Sequence, residues 1–160
     1  MSYPPGTPTE RALWNAVVDG VRAAGASDRA GFEAAVSCLR RLPRPWADQV
    51  LDHTAELLAE ELGPPGSVHW PLPVPPGAGL APWARADPSL LAFPSRRGHA
   101  RPAATPSDSE ETTRRLLLIT HLALVAQVRV GAFLDVALVD ASGRSSRPPS
   151  RLVPHCRLGR

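Results

Sequence analysis

Between Ser107 and Asp140 runs the longest apolar segment of the chain, SDSEETTRRLLLITHLALVAQVRVGAFLDVALVD, and no other stretch restricts the fold as much. Ser107-Asp108-Ser109-Glu110 in front of it reads as a capping box, in which the serine accepts from a free backbone N–H while Glu110 reaches back. Acids in that first turn also suit the positive end of a helix dipole. At about 100° per residue, Leu116, Leu117, Leu118, Ile119, Leu122, Leu124, Val125 and Val128 point in nearly every direction. Such a helix must be enclosed on most sides, by other helices or by lipid. A membrane span needs roughly 20 apolar residues in a row. Here His121, Gln127 and Arg129 interrupt the run and Gly131 follows, and each polar group is costly at mid-bilayer. The segment therefore predicts the central helix of a bundle, with no transmembrane span. Val128-Arg129-Val130 and Val136-Ala137-Leu138-Val139 suit a strand as well as a helix. The reading adopted is helix, a turn near Val130-Gly131, and a short helix from Ala132 that stops at Ser142-Gly143, where glycine accepts the left-handed conformation.

The N-terminal third supplies the enclosing helices. Thr7-Pro8-Thr9-Glu10 is a second capping box, with proline where its missing N–H costs nothing. Leu13, Trp14, Val17, Val18 and Val21 follow at helical spacing until Gly25, with Trp14 expected as a core anchor. Asp28 can cap a second helix carrying Phe32, Ala35, Val36, Leu39 and Leu42, which Pro43 ends. Cys38 lies inside that pattern and is expected to pack as a small apolar group. A third helix restarts at about Trp46 and closes at Gly63-Pro64-Pro65. Its wheel places Trp46, Val50, Leu51, Ala55, Leu57, Leu58 and Leu62 on one half and Asp48, Gln49, Asp52, His53, Glu56 and Glu60 on the other. Three amphipathic helices with short joints predict an antiparallel unit.

From Gly63 to Pro106 the pattern breaks, with 11 prolines in 44 residues. Proline at that density removes donors and prevents a helix, so 63–106 reads as a largely irregular insert, with local docking at Trp70, Trp83, Leu91 and Phe93. Arg144, Arg147, Arg151, Arg157 and Arg160 mark 142–160 as a basic, disordered tail. The organisation expected is thus an all-α small helical bundle of about five helices: a three-helix part over 1–62, the Pro-rich insert over 63–106, a helical part over 107–141 that completes the bundle, and the tail.

All 18 basic side chains are arginine, and the chain has no lysine. Together with 19 prolines this is what a GC-rich gene imposes, so arginine by itself says little about phosphate recognition. The net charge of +3 hides a division along the chain. Residues 1–62 carry 9 acids against 6 arginines and 107–140 carry 5 against 3, whereas 63–106 carry 1 against 4 and 141–160 carry 5 arginines and no acid. The basic parts either lie on the acidic helices or reach nucleic acid, anionic lipid or an acidic partner. Two cysteines give no disulfide framework and no metal spacing, and the first residues lack the order of a secretion signal. A cytoplasmic setting is the expectation.

The residues that could carry chemistry are few. Asp52-His53-Thr54-Ala55-Glu56 with Glu60 places His53, Glu56 and Glu60 on one helical face, as carboxylate-bridged metal helices require, although such sites also need a matching set on a second helix. Sharing the face with Asp48 and Gln49, they read as solvated surface. His121, in the enclosed helix, is the other candidate, and a buried histidine is more often a hydrogen-bonded core residue than a catalyst. The sequence holds no nucleophile elbow, no His-Glu-x-x-His and no phosphate loop. Catalytic residues, metal and cofactor are therefore expected to be none.

The segments FEAAVSCLRRLP (Phe32 to Pro43), LLLITHLALVAQ (Leu116 to Gln127) and AFLDVALVD (Ala132 to Asp140) resemble uncharacterised Ala/Leu-rich helical proteins of high-GC actinobacteria. The resemblance covers about half of the chain. It implies an all-helical fold and brings no activity or site residue, and the Pro-rich insert stands where those proteins continue in helix. The role expected is a non-enzymatic interaction or regulatory module that self-associates or binds a protein, because three short helices leave part of 116–139 uncovered. The alternatives are an enzyme using His121 or Asp52, His53 and Glu56, and a peripheral binder of nucleic acid or anionic membrane through the Arg-rich parts.

Overall fold

The computed structural model describes residues 6–63, 82–84 and 108–145. Five helices make up the described residues: α1 (Pro8–Gly25), α2 (Arg29–Arg40), α3 (Arg44–Leu62), α4 (Asp108–Ala126) and α5 (Val130–Ser145), with a short 3-10 turn at Pro82–Ala84. Among the described residues there is no strand, so Val128–Val139 resolves as turn and helix. Most of the Pro-rich insert and of the tail, the cap at Ser107, and Trp70, Leu91 and Phe93 lie outside the described residues.

Local signals start the first two helices. Thr7 Oγ1 accepts from the Glu10 N–H at 3.2 Å and Glu10 Oε2 accepts from the Thr7 N–H at 2.8 Å, both halves of the capping box. Asp28 Oδ1 accepts from the Gly31 N–H at 2.9 Å and caps α2. α1 ends at Gly25 and α3 at Leu62 before Gly63 (φ 152°), as their glycines suggest, but the left-handed positions after α1 and α4 are not glycine. Ser27 (φ 62°) and Gln127 (φ 55°) take the left-handed conformation. Behind each, paired bonds close the helix, Asp28 N–H to Ala23 O at 2.8 Å with Ser27 N–H to Ala24 O at 3.4 Å, and Val128 N–H to Ala123 O at 3.1 Å with Gln127 N–H to Leu124 O at 3.2 Å. This is the Schellman arrangement with a non-glycine residue at the left-handed position. The turn expected near Val130-Gly131 therefore lies at Gln127–Arg129. The stop expected at Ser142-Gly143 is absent, and α5 continues to Ser145. Glycine inside a helix costs only about 1 kcal/mol, so packing of the flanking residues decides.

α4 lies at the centre. From Leu116 to Ala123 every residue is buried, eight consecutive positions and more than two full turns. Leu116, Ile119 and Leu122 are wholly enclosed, and each buried aliphatic side chain contributes about 2 kcal/mol. Thr120 inside this stretch donates its hydroxyl to the Leu116 carbonyl at 2.7 Å, which removes the cost of an unpaired buried O–H. Thr54 does the same toward Val50 O on α3, also at 2.7 Å.

The helices around α4 are arranged differently from a three-helix N-terminal unit. α1 and α2 form a tight antiparallel hairpin, while α3 packs chiefly on α4 and α5. Gly20 marks the point where α1, α2 and α4 meet, since a Cβ there would lie 2.7 Å from Leu116 Cδ2 and 3.2 Å from the Ala35 Cβ. The ring closes between α1 and α5. Trp14 Nε1–H donates to Asp135 Oδ1 at 3.0 Å, its ring covers Gly131, and Ser142 Oγ donates to Glu10 Oε1 at 2.7 Å. Trp14 is thus a half-buried clasp more than an interior anchor. Cys38 is exposed. The buried positions of α2 are Phe32, Ala35, Val36 and Leu39, and two steps beyond Val36 turn Cys38 about 200° away from it.

Candidate functional site

Part of the polar face of α3 is a seam between helices, while Gln49 and Glu60 on the same face are exposed. Asp48 and Asp52 stand one turn apart, a like-charge spacing that is unfavourable on an isolated helix. Arg115 of α4 lies between them, with a side chain only 17% exposed. Its Nε donates to Asp52 Oδ1 at 2.7 Å and one terminal nitrogen reaches Asp52 Oδ2 at 3.4 Å, a forked pair. The other terminal nitrogen lies 3.3 Å from Asp48 Oδ1, and the first is also 2.8 Å from Glu111 Oε1. Burial pulls the Arg115 pKa down, but the hydrogen bond to Asp52 and the charges of Asp52, Asp48 and Glu111 outweigh it and raise it above the ordinary value. Arg44 extends the seam, 3.6 Å from Asp48 and 3.5 Å from Asp108.

His53 continues the seam toward α5. Its Nε2 lies 2.9 Å from Asp140 Oδ2 and its Nδ1 3.6 Å from Glu56 Oε2. Glu60 is exposed on the next turn. The predicted set His53, Glu56 and Glu60 is therefore divided, with His53 turned to a neighbouring helix. Among the described residues no three of His, Cys, Asp and Glu converge to hold a metal ion. Asp52 is committed to Arg115. His121, at 6% exposure, is enclosed with the apolar residues of α4. Arg115 and Asp140 were the partners that sequence reasoning missed. The repeated acids at Asp48, Asp52 and Glu56 were the available signal, since that spacing asks for a cation from elsewhere.

The seam consumes its own charges, which makes it a joint between α3, α4 and α5. The uncommitted surface lies on the far side of α5. Val136 and Val139 are 49% and 59% exposed, the two large apolar side chains left uncovered among the described residues. Ala132 and Gly143 are exposed above and below them. Taken at about 100° per residue, these four positions fall within a narrow stripe. Asp135 and Asp140 flank it, but one is held by Trp14 and the other by His53.

Comparison with protein-family models finds no match, and comparison with curated proteins and with solved structures finds none. No helix among the described residues is long and apolar enough to cross a membrane.

Proposed function

We propose that the chain is a non-enzymatic interaction module and that the outer face of α5 pairs with the same face of a second copy. The observation that carries this reading is the exposed Val136–Val139 pair between Ala132 and Gly143. The stripe runs small, large, large, small with steps of four, three and four residues, so it reads the same in both directions. An antiparallel pairing about a two-fold axis between Ala137 and Leu138 sets Val136 against Val139 of the other copy and Ala132 against Gly143. Self-complementarity of this kind is what an isologous interface demands. The small end residues let the two backbones approach.

The stripe extends about 16 Å along the helix and is smaller than the roughly 800 Å² per partner of a standard stable interface. The dimer is accordingly weak and concentration-dependent. Flanking acids on both copies also fix the salt response. Screening relieves the repulsion between them, so salt strengthens this association, whereas binding to nucleic acid through arginines is weakened by salt.

Sedimentation velocity between about 10 and 500 µM tests the reading, a range chosen for a weak interface. The expected result is a rise toward the dimer value that is larger at high salt and is abolished in Val136→Glu/Val139→Glu. Both positions face solvent, so circular dichroism should report an unchanged fold. A monomer throughout the range, or a dimer that survives the double substitution, defeats the proposal.

A further inference from the structure

A cleft of about 480 Å³ opens between α2 and the N-terminal half of α4, on a part of the surface to which α5 contributes nothing. Its floor is apolar, made by Phe32, Val36 and Leu117, and Trp83 closes one end. The Trp83 and Phe32 rings meet edge to face, with centroids 5.3 Å apart and an angle of 60°. That contact fixes the 3-10 turn at Pro82–Ala84 against the bundle and leaves an aromatic wall. The volume lies within the roughly 300–1,000 Å³ of ordinary small-molecule sites, which combine an apolar floor with a few polar groups.

The rim decides the charge of the occupant. Arg29, Glu33 and Arg40 line it. Glu33 Oε1 already accepts from Arg29 Nε at 2.9 Å, so this pair cancels. Arg40 makes no ion pair among the described residues, and of the described charges on the rim it is the one left over. The Ser37 and Thr113 hydroxyls donate to the Glu33 and Ser109 carbonyls, which leaves their oxygens as bystanders beside the guanidinium.

We infer that the cleft binds a small aromatic anion, its ring between Trp83 and the Val36–Leu117 floor and its carboxylate at Arg40. The site does not depend on the dimer, since it shares no residue with the stripe on α5. A guanidinium is the natural partner of a carboxylate because its planar fork matches the two oxygens. A neutral ligand of the same shape loses that pairing, and a cation meets like charge.

The experiment is a titration of the full chain with 2-naphthoate, 2-naphthamide and 2-naphthylmethylammonium, followed by tryptophan fluorescence and calorimetry. The expected result is saturable 1:1 binding of 2-naphthoate, with the amide about tenfold weaker, the factor expected for one charge-assisted hydrogen bond, and the ammonium weaker again. Arg40→Gln should weaken 2-naphthoate by about the same factor, while Arg41→Gln, one residue along and outside the cleft, should change it by less than about twofold. Trp83→Ala should remove the binding, and Trp83→Phe, which keeps an aromatic wall, should retain most of it. Absence of saturable binding, equal affinity for the three probes, or equal effects of Arg40→Gln and Arg41→Gln overturns the assignment.

Discussion

Replacing Arg115 with methionine should be among the more damaging single changes outside the apolar core. Methionine preserves the packing of the aliphatic stem and removes the guanidinium that touches Asp52 at 2.7 Å, Asp48 at 3.3 Å and Glu111 at 2.8 Å. Three carboxylates are then left facing one another across the α3–α4 joint. Breaking a fully buried pair costs about 3–5 kcal/mol, and breaking an exposed one costs about 0–1 kcal/mol. The arginine is largely covered, but its partners keep side-chain exposures of 26% for Asp48, 40% for Glu111 and 47% for Asp52, so water recovers part of the loss. The expected destabilisation is about 2 kcal/mol, midway between the two limits. Urea unfolding followed by tryptophan fluorescence should show this as a midpoint lowered by about 1 M, given a slope of about 1–3 kcal/mol per molar for a domain of this size. A double-mutant cycle with Asp52→Asn isolates the forked contact, with an expected coupling of about 1 kcal/mol. A loss below about 0.5 kcal/mol with no measurable coupling would place the seam among ordinary surface ion pairs and refute the argument.

Four further outcomes follow from the helix geometry and its caps. Gly20→Ala should lower stability by about 1–3 kcal/mol because its Cβ would sit 2.7 Å from Leu116 Cδ2 in a full core. Gly25→Ala, which meets nothing within 4 Å, should raise stability by about 0.5–1 kcal/mol in the same urea titration. Ser27→Gly and Gln127→Gly should each stabilise by about 0.5–1 kcal/mol, since both native residues hold a left-handed conformation that glycine adopts freely. Denaturation midpoints that fall for both would contradict the cap assignment. The Glu10 carboxyl is held below its ordinary value, first by the hydrogen bond from Ser142 and against a smaller opposing effect of burial, with the Thr7 amide and hydroxyl adding to the lowering. A depressed carboxyl contributes stability above its unfolded value, about 4.3 for glutamate, and loses it as pH falls through the folded value. Glu10→Gln should accordingly lower the Tm at pH 6, with the difference from wild type narrowing as the pH falls below the ordinary glutamate range.

The parts of this fold that the chain announces are the local ones. Thr7–Glu10 and Asp28 cap their helices through neighbours three residues away, and the all-round apolar character of Leu116–Ala123 demands the enclosure that the structure provides. The helix ends were partly legible: α1 does end at Gly25 and α3 just before Gly63, but Ser27 and Gln127 hold the left-handed turns after α1 and α4, while Gly131 and Gly143 stay helical. The acidic face of α3 reads as solvated on a wheel, since a wheel contains one helix and Arg115 comes from another, 63 residues beyond Asp52. The exposed face of α5 was hidden for a related reason. Its sequence is apolar all round, and only the placement of α1 and α3 decides that Val136 and Val139 are the side left over.

The position of α4 in the chain also governs how the protein can be made. Its eight enclosed residues are the wall against which α1, α2 and α3 rest, yet 44 residues separate Gly63 from Asp108. At about 5–20 residues per second a ribosome needs roughly 2–9 s to cross that interval. Until α4 has emerged, the nascent hairpin and third helix lack the wall that covers Leu13, Val17, Leu51 and Leu58 in the finished bundle. A nascent chain long enough for α3 but not α4 to have left the exit tunnel should therefore be held by a chaperone that recognises greasy surface, and one extended at its C-terminus until Ser145 has also left it should be released.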